Sequence, residues 1–166
     1  MTKIAELKAK YQAIKKEMEE NGKSALKEVF SIFFEKHPEI KGIVWTQYTP
    51  YFNDGEACTF SVGSPHFKIH PKKLSIMDPE IRKEFFRYSK EEEYTEDPFA
   101  DTYKQCYLYA LKRKKNKTPE EQALVDDSKD IIEAFSLDEI FESVFGDHVK
   151  VIASKKGFKI EEYEHD

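Results

Sequence analysis

The side chains able to do acid–base or metal chemistry fall in two places. Near the C-terminus, Asp147 and His148 open one alternating run, and His165 and Asp166 close another. If the two runs pair as a hairpin, these four groups meet at its open end. Imidazoles and carboxylates together would suit zinc or manganese. The spacing matches no metal signature, so His148, His165 and Asp166 as ligands are a secondary reading beside a solvated tail. In the middle of the chain Asp54 and Glu56 flank Gly55, where acids are common for backbone reasons. Neither place offers a nucleophile beside a base, so no catalytic residue is assigned. Glycines at 22, 42, 55, 63, 146 and 157 never form a phosphate-binding cluster, and no cofactor is expected. His66 and His70, bracketed by Pro65 and Pro71, read as strand-edge residues.

Between residues 42 and 60 the chain reads GIVWTQYTPYFNDGEACTF, an unusual density of aromatics. Asp54-Gly55 is a preferred pair for a two-residue hairpin turn. That turn sets Asn53 against Glu56, Tyr51 against Cys58 and Thr49 against Phe60. One face then carries Trp45, Gln47, Thr49, Tyr51, Cys58, Phe60 and Val62, and is the better core candidate. The other carries Thr46, Tyr48, Pro50 and Phe52, with Pro50 confined to an edge or bulge because it cannot donate to a ladder. Aromatic and hydroxyl groups of this kind suit the holding of a protein segment or a flat ligand. Trp45, Tyr48, Tyr51, Phe52, Asp54 and Glu56 are therefore the candidate partner-binding residues.

The elements that must position these groups follow from periodicity and punctuation. Residues 2–21 read as an amphipathic helix with Ile4, Leu7, Tyr11, Ile14 and Met18 in steps of three and four. That seam either lies on the core or serves a homodimer through the N-terminal helix. Asn21-Gly22 predicts a stop, and Ser24 caps a second helix with Leu26, Val29, Phe30, Phe33 and Phe34 inward. His37-Pro38 ends it. HFKIH (66–70) is a short strand. Asp78-Pro79 opens a helix to about residue 89 lined by Ile81, Phe85 and Tyr88. The acidic stretch around EEEYTED reads as a solvated loop. A helix from about Phe99 to Arg113 would bury Tyr103, Cys106, Tyr107 and Ala110, and ends in KRKKNK. Thr118 and Glu121 make a capping box for a helix burying Leu124, Ile131, Ile132 and Phe135. Ser136 and Glu139 suggest another for a short helix with Ile140, Phe141, Val144 and Phe145 inside, closed by Gly146. HVKVIAS and GFKIEEYEHD form a C-terminal hairpin around Lys155-Lys156-Gly157.

Composition bounds the rest. The chain has 166 residues, 36% of them charged, with net charge -5 and two cysteines. A single α+β domain over 1–166 is expected: an antiparallel sheet of four to five strands, two hairpins plus a short strand, packed with several helices. The acidic total, and lysine rather than arginine as the main cation, leave nucleic acid possible but not favoured, KRKKNK included. No signal-peptide pattern and no apolar run of the roughly 18 residues needed to cross a bilayer is present, so a cytoplasmic protein with reduced thiols is expected.

WTQYTPYFNDGEACTFSV (45–62) and FGDHVKVIASKKGFKIEEYEHD (145–166) resemble blocks of an uncharacterised family of small bacterial and tailed-phage proteins. Its members carry a WTQYTPYFNDG block followed by C-x-F, and close on FGDHV and an EEYxHD tail. The resemblance covers about a quarter of the chain and carries no activity. It implies that the two hairpins form a unit and that the chain has a bacterial or phage origin. The leading expectation is a non-enzymatic accessory protein that binds a macromolecular partner, a protein first of all. The alternative is a ligand-binding protein or enzyme acting on a nucleotide or nucleic acid, with aromatics stacking a base while Asp54, Glu56, His148 and His165 converge.

Overall fold

A computed structural model describes residues 2–52, 54–70, 78–81, 83 and 106–165. Helix α1 runs from Lys3 to Lys36, followed by β1 (Ile40–Tyr48), β2 (Ser61–Val62) and β3 (His66–Ile69). Then come α2 (Cys106–Arg113), α3 (Pro119–Ala134), α4 (Asp138–Phe145), β4 (Val149–Ser154) and β5 (Gly157–Glu162). The five strands make one antiparallel sheet in the order β2-β1-β4-β5, with β3 sharing the β2 edge of β1. The architecture is α+β, as expected.

One face of β1 and β4 holds Ile43, Trp45, Val151 and Ala153, all fully buried. Against it pack Leu26, Phe30 and Phe34 of α1, Leu124 and Ile131 of α3, and Phe141 and Phe145 of α4. The rings of Phe30, Phe135, Phe141 and Phe145 lie 4.9–5.8 Å from that of Trp45, mostly edge to face, the arrangement aromatic quadrupoles favour. Trp45 has no solvent exposure at all. Its place among the partner-binding residues is thus corrected: its sheet face is sealed by three helices.

Helix α1 corrects a second expectation. It passes through Asn21-Gly22 without a break, so the helix expected over 2–21 and the one expected from Ser24 are a single element. Gly22 serves packing instead of termination. A Cβ there would lie 3.1 Å from Ile140 Cγ2 and 3.6 Å from Val144 Cγ2, so its absence lets α4 approach. A mid-helix glycine costs about 1 kcal/mol relative to alanine, which close helix–helix packing offsets. The helix ends at Lys36 before His37-Pro38. There the buried His37 ring meets Asp127 at 2.6 Å, and Lys36 meets the same carboxylate at 2.8 Å.

Thr118 caps α3 with both bonds of the box in place. The box expected at Ser136 does not form: α4 begins after Leu137 with no side-chain cap. The Ser136 hydroxyl donates backward to the Glu133 carbonyl at 2.8 Å, finishing α3 instead of starting α4. Asp78 caps the turn that follows it through the Glu80 N–H at 2.9 Å. In α2, Leu108, Ala110 and Leu111 are buried. The expected helix beyond Lys83, the acidic EEEYTED stretch and the segment 99–105 lie outside the described residues.

Candidate functional site

The end of the sheet where β1 leaves and β4 enters brings the two resembling blocks into contact. Its foundation is Gln47, fully buried on the core face beside Trp45. A buried amide must satisfy its donors and acceptor, and this one does. Its Nε2 donates to the Phe141 carbonyl at 2.9 Å and the Gly146 carbonyl at 2.6 Å, while its Oε1 accepts from Trp45 Nε1 at 3.0 Å. The Gly146 carbonyl belongs to the cap of α4, a group the helix leaves unpaired, and the Phe141 carbonyl lies one turn earlier on the same helix. Gln47 therefore pins the turn that carries Asp147 and His148.

That turn is sharply folded. Gly146 has φ 93° and His148 φ 54°, the one non-glycine with positive φ among the described residues. Histidine tolerates this region better than branched residues, but it remains uncommon and needs support from its surroundings. Support comes from Asp147. One carboxylate oxygen accepts from the His148 N–H at 2.8 Å and the Thr49 N–H at 2.7 Å; the other accepts from the Thr49 hydroxyl at 2.7 Å. Burial favours the neutral acid, but these hydrogen bonds outweigh it and hold the Asp147 carboxyl below its ordinary value. Thr49 and Asp147 thus fasten the chain just after β1 to the chain just before β4.

The aromatic groups assemble on this clasp. Val149 pairs with Glu162 across the C-terminal hairpin, and Tyr163 N–H donates to the His148 carbonyl at 2.9 Å, carrying the ladder beyond the strands. His165 is thereby brought to His148, with Nδ1 of His148 2.8 Å from Nε2 of His165. Ring planes 9° apart and centroids 5.0 Å apart place the imidazoles side by side in nearly one plane. The Tyr51 ring lies over both, 5.0 and 4.4 Å away and within 10° of parallel. Tyr48 lies 3.8 Å from His165. One imidazole face accommodates one six-membered ring at such distances, so His165 sits between the two tyrosines. Tyr163 completes the group beside Tyr48 at 5.7 Å.

His148 and His165 meet as the hairpin pairing anticipates. Their facing nitrogens bond directly, one donating and the other accepting, which leaves no room for a metal between them at ordinary zinc–nitrogen distances of about 2 Å each. Asp166 lies outside the described residues, and no group of three metal-ligating side chains occurs among those described. The other ring nitrogen of His148 faces Asp147 at 3.6 Å. At that distance no hydrogen bond joins the Asp147 carboxylate to the His148 ring, and the carboxylate that accepts from the Thr49 hydroxyl is held below its ordinary value, a weak base for activating a nucleophile.

Beyond the clasp the chain loops out. The Asp54-Gly55 register is confirmed at the strand ends, where Gln47 pairs with Val62 and Tyr48 with Ser61. The ladder stops there, and residues 49–52 and 54–60 take loop and turn conformations instead of long strands. Only Gly55 of the turn pair has positive φ, at 81°, so the mirror-image turn expected of Asp-Gly is not adopted. Tyr51 is 65% exposed and Phe52 79% exposed, and Asp54 and Glu56 face water. Neither acid makes a hydrogen bond or ion pair with a described residue, and neither joins the histidines. The sequence reading missed Gln47 as a linchpin, Thr49 with Asp147 as a clasp, and Tyr163 as a member of the stack. The signal for the first was available: the Asp-Gly register puts a polar amide on the core face, which demands buried partners. The chain matches no protein-family model, no curated protein and no solved structure.

Proposed function

We propose that this chain is a non-enzymatic, cytoplasmic accessory protein of bacterial or phage origin that binds another protein through the loop 49–60. The observation that carries the reading is the loop's construction. Tyr51 and Phe52 are the exposed aromatics, and both are displayed from a base fixed by Thr49, Asp147 and the histidine pair. Tyrosine and phenylalanine held in place offer large contact area at little cost in ordering, the usual character of binding hot spots. Asp54 and Glu56 beside them favour a partner segment with lysine or arginine. The histidines are engaged with each other and with Asp147, which argues for a structural part in the platform. Location inside the cell is supported by the unpaired Cys58; among the described residues no helix is long and apolar enough to cross a membrane.

The test is photo-crosslinking from position 52 in a bacterial lysate, alongside affinity capture with wild type and with Tyr51→Ala/Phe52→Ala. The expected result is one protein crosslinked at position 52 and lost on the double variant. Both substitutions are at exposed positions, so the fold should persist by circular dichroism. Equal capture by a folded double variant would rule out this surface. The rival, a nucleotide stacked on Tyr51, predicts quenching of tyrosine fluorescence by nucleotides that Tyr51→Ala abolishes.

A further inference from the structure

The first two thirds of α1 buries almost nothing. Leu26 is the first buried residue of the helix, and the stripe Ile4, Leu7, Tyr11, Ile14 and Met18 is 59–69% exposed. The stripe therefore does not lie on the core. Its spacing is that of a narrow coiled-coil seam, one apolar residue every three or four, not the broad apolar face of a helix lying on a bilayer. Between this part of α1 and α4 runs an open groove of about 630 Å³, floored by Tyr11, Ile14, Met18 and Ile140.

Charge identifies what fits the groove. Its rim carries Glu19, Glu139 and Glu142 against Lys15 alone. The segment 3–16 of the same helix is the reverse, with Lys3, Lys8, Lys10, Lys15 and Lys16 against Glu6. One molecule thus presents both an acidic, apolar-floored groove and a basic helix with a matching apolar stripe. We infer that the chain forms a two-fold homodimer in which the N-terminal part of each α1 lies antiparallel in the groove of the other copy. Leu7 packs on Met18 of the second copy and Tyr11 on its Ile14, and the symmetry repeats each contact. A parallel pair would set the two lysine-rich segments fully side by side; the antiparallel pair moves residues 3–8 of each copy level with 17–22 of the other, where Glu17, Glu19 and Glu20 lie. This surface does not include the loop 49–60, so the dimer stands or falls apart from partner binding.

Sedimentation equilibrium of the full chain across the micromolar range tests the association. The expected result is a dimer, with Leu7→Lys/Ile14→Lys weakening it on the order of a hundredfold or more, because four lysines would be buried without partners. Those positions face water in the single chain, so the variant's circular dichroism should match wild type. Orientation is read by oxidation. A mixture of Leu7→Cys and Met18→Cys chains should form a disulfide between copies, since bridging needs Cα atoms within about 7 Å. Leu7→Cys alone should behave as wild type, which controls for the native cysteines. A monomer at every concentration overturns the proposal, as does efficient bridging by Leu7→Cys alone. A monomer that sediments with anionic phospholipid vesicles overturns it in favour of a membrane surface.

Discussion

Strand β1 carries two aromatic clusters a few residues apart, and they behave oppositely. Around Trp45 the rings of Phe30, Phe135, Phe141 and Phe145 meet in a dry core supplied by three helices and their connections. Around His165 the rings of Tyr48, Tyr51 and Tyr163 meet at a sheet end, interleaved with imidazoles and open to water on the Tyr51 side. The first cluster is held by the hydrophobic effect, with the single donor of its tryptophan satisfied by Gln47. The second is placed by hydrogen bonds at Thr49, Asp147 and His148, and aromatic stacking follows. Gln47 joins them, with its amide in the first cluster and its bonds reaching the turn that builds the second.

Substitutions should separate the two clusters by size of effect. Trp45→Ala empties the centre of the core and should cost roughly 3–5 kcal/mol in chemical denaturation. A smaller loss would mean that the helices close over the cavity. Gln47→Leu keeps the volume but strands the Gly146 carbonyl and the Trp45 N–H, for roughly 2–3 kcal/mol. It should also loosen the tyrosine cluster, visible as altered ring shifts of Tyr48 and Tyr51 by NMR. Unchanged shifts would show that the clusters are independent.

Asp147→Asn should cost on the order of 1 kcal/mol at neutral pH, by weakening three hydrogen bonds to a charged acceptor. The native Asp147 carboxyl titrates below its unfolded value of about 3.9, so its stabilisation is complete above that pH and lost as pH falls through the lower folded value. Asp127, lowered first by its bond to Lys36 and aided by His37, adds a loss of the same sign. Asp147→Asn should therefore flatten the acid limb of the stability curve without abolishing it. Phe52→Ala lies at the bottom of the scale, within about 0.5 kcal/mol of wild type in stability. A larger loss would mean that Phe52 supports the fold instead of being displayed by it.

Much of the fold was legible where a local rule had no competitor. The Thr118 capping box, the C-terminal hairpin and the Asp-Gly register all follow from short-range chemistry, and all hold. The register survived although the ladder covers only Gln47–Tyr48, because the core face of Trp45 and Val62 fixes it more firmly than the turn does. Local rules failed where a distant element intervened. Asn21-Gly22 reads as a helix stop until α4 is packed against it, and Ser136 reads as a cap until α3 claims its hydroxyl. At the site, His148 and His165 were drawn together by strand pairing that alternation reveals. Tyr163 and the Thr49 clasp depend on a turn geometry, positive φ at His148, that no residue pattern announces.

The continuous α1 has a hydrodynamic consequence. At about 1.5 Å per residue, its 34 residues span about 51 Å, whereas a compact chain of this length, with a radius of gyration near 15 Å, has a diameter of about 40 Å. A single copy is therefore elongated, tumbles anisotropically, and should leave a gel-filtration column ahead of a sphere of 19.5 kDa. Elution volume would overstate the mass of a monomer, and a shape-independent mass is what distinguishes it from a dimer.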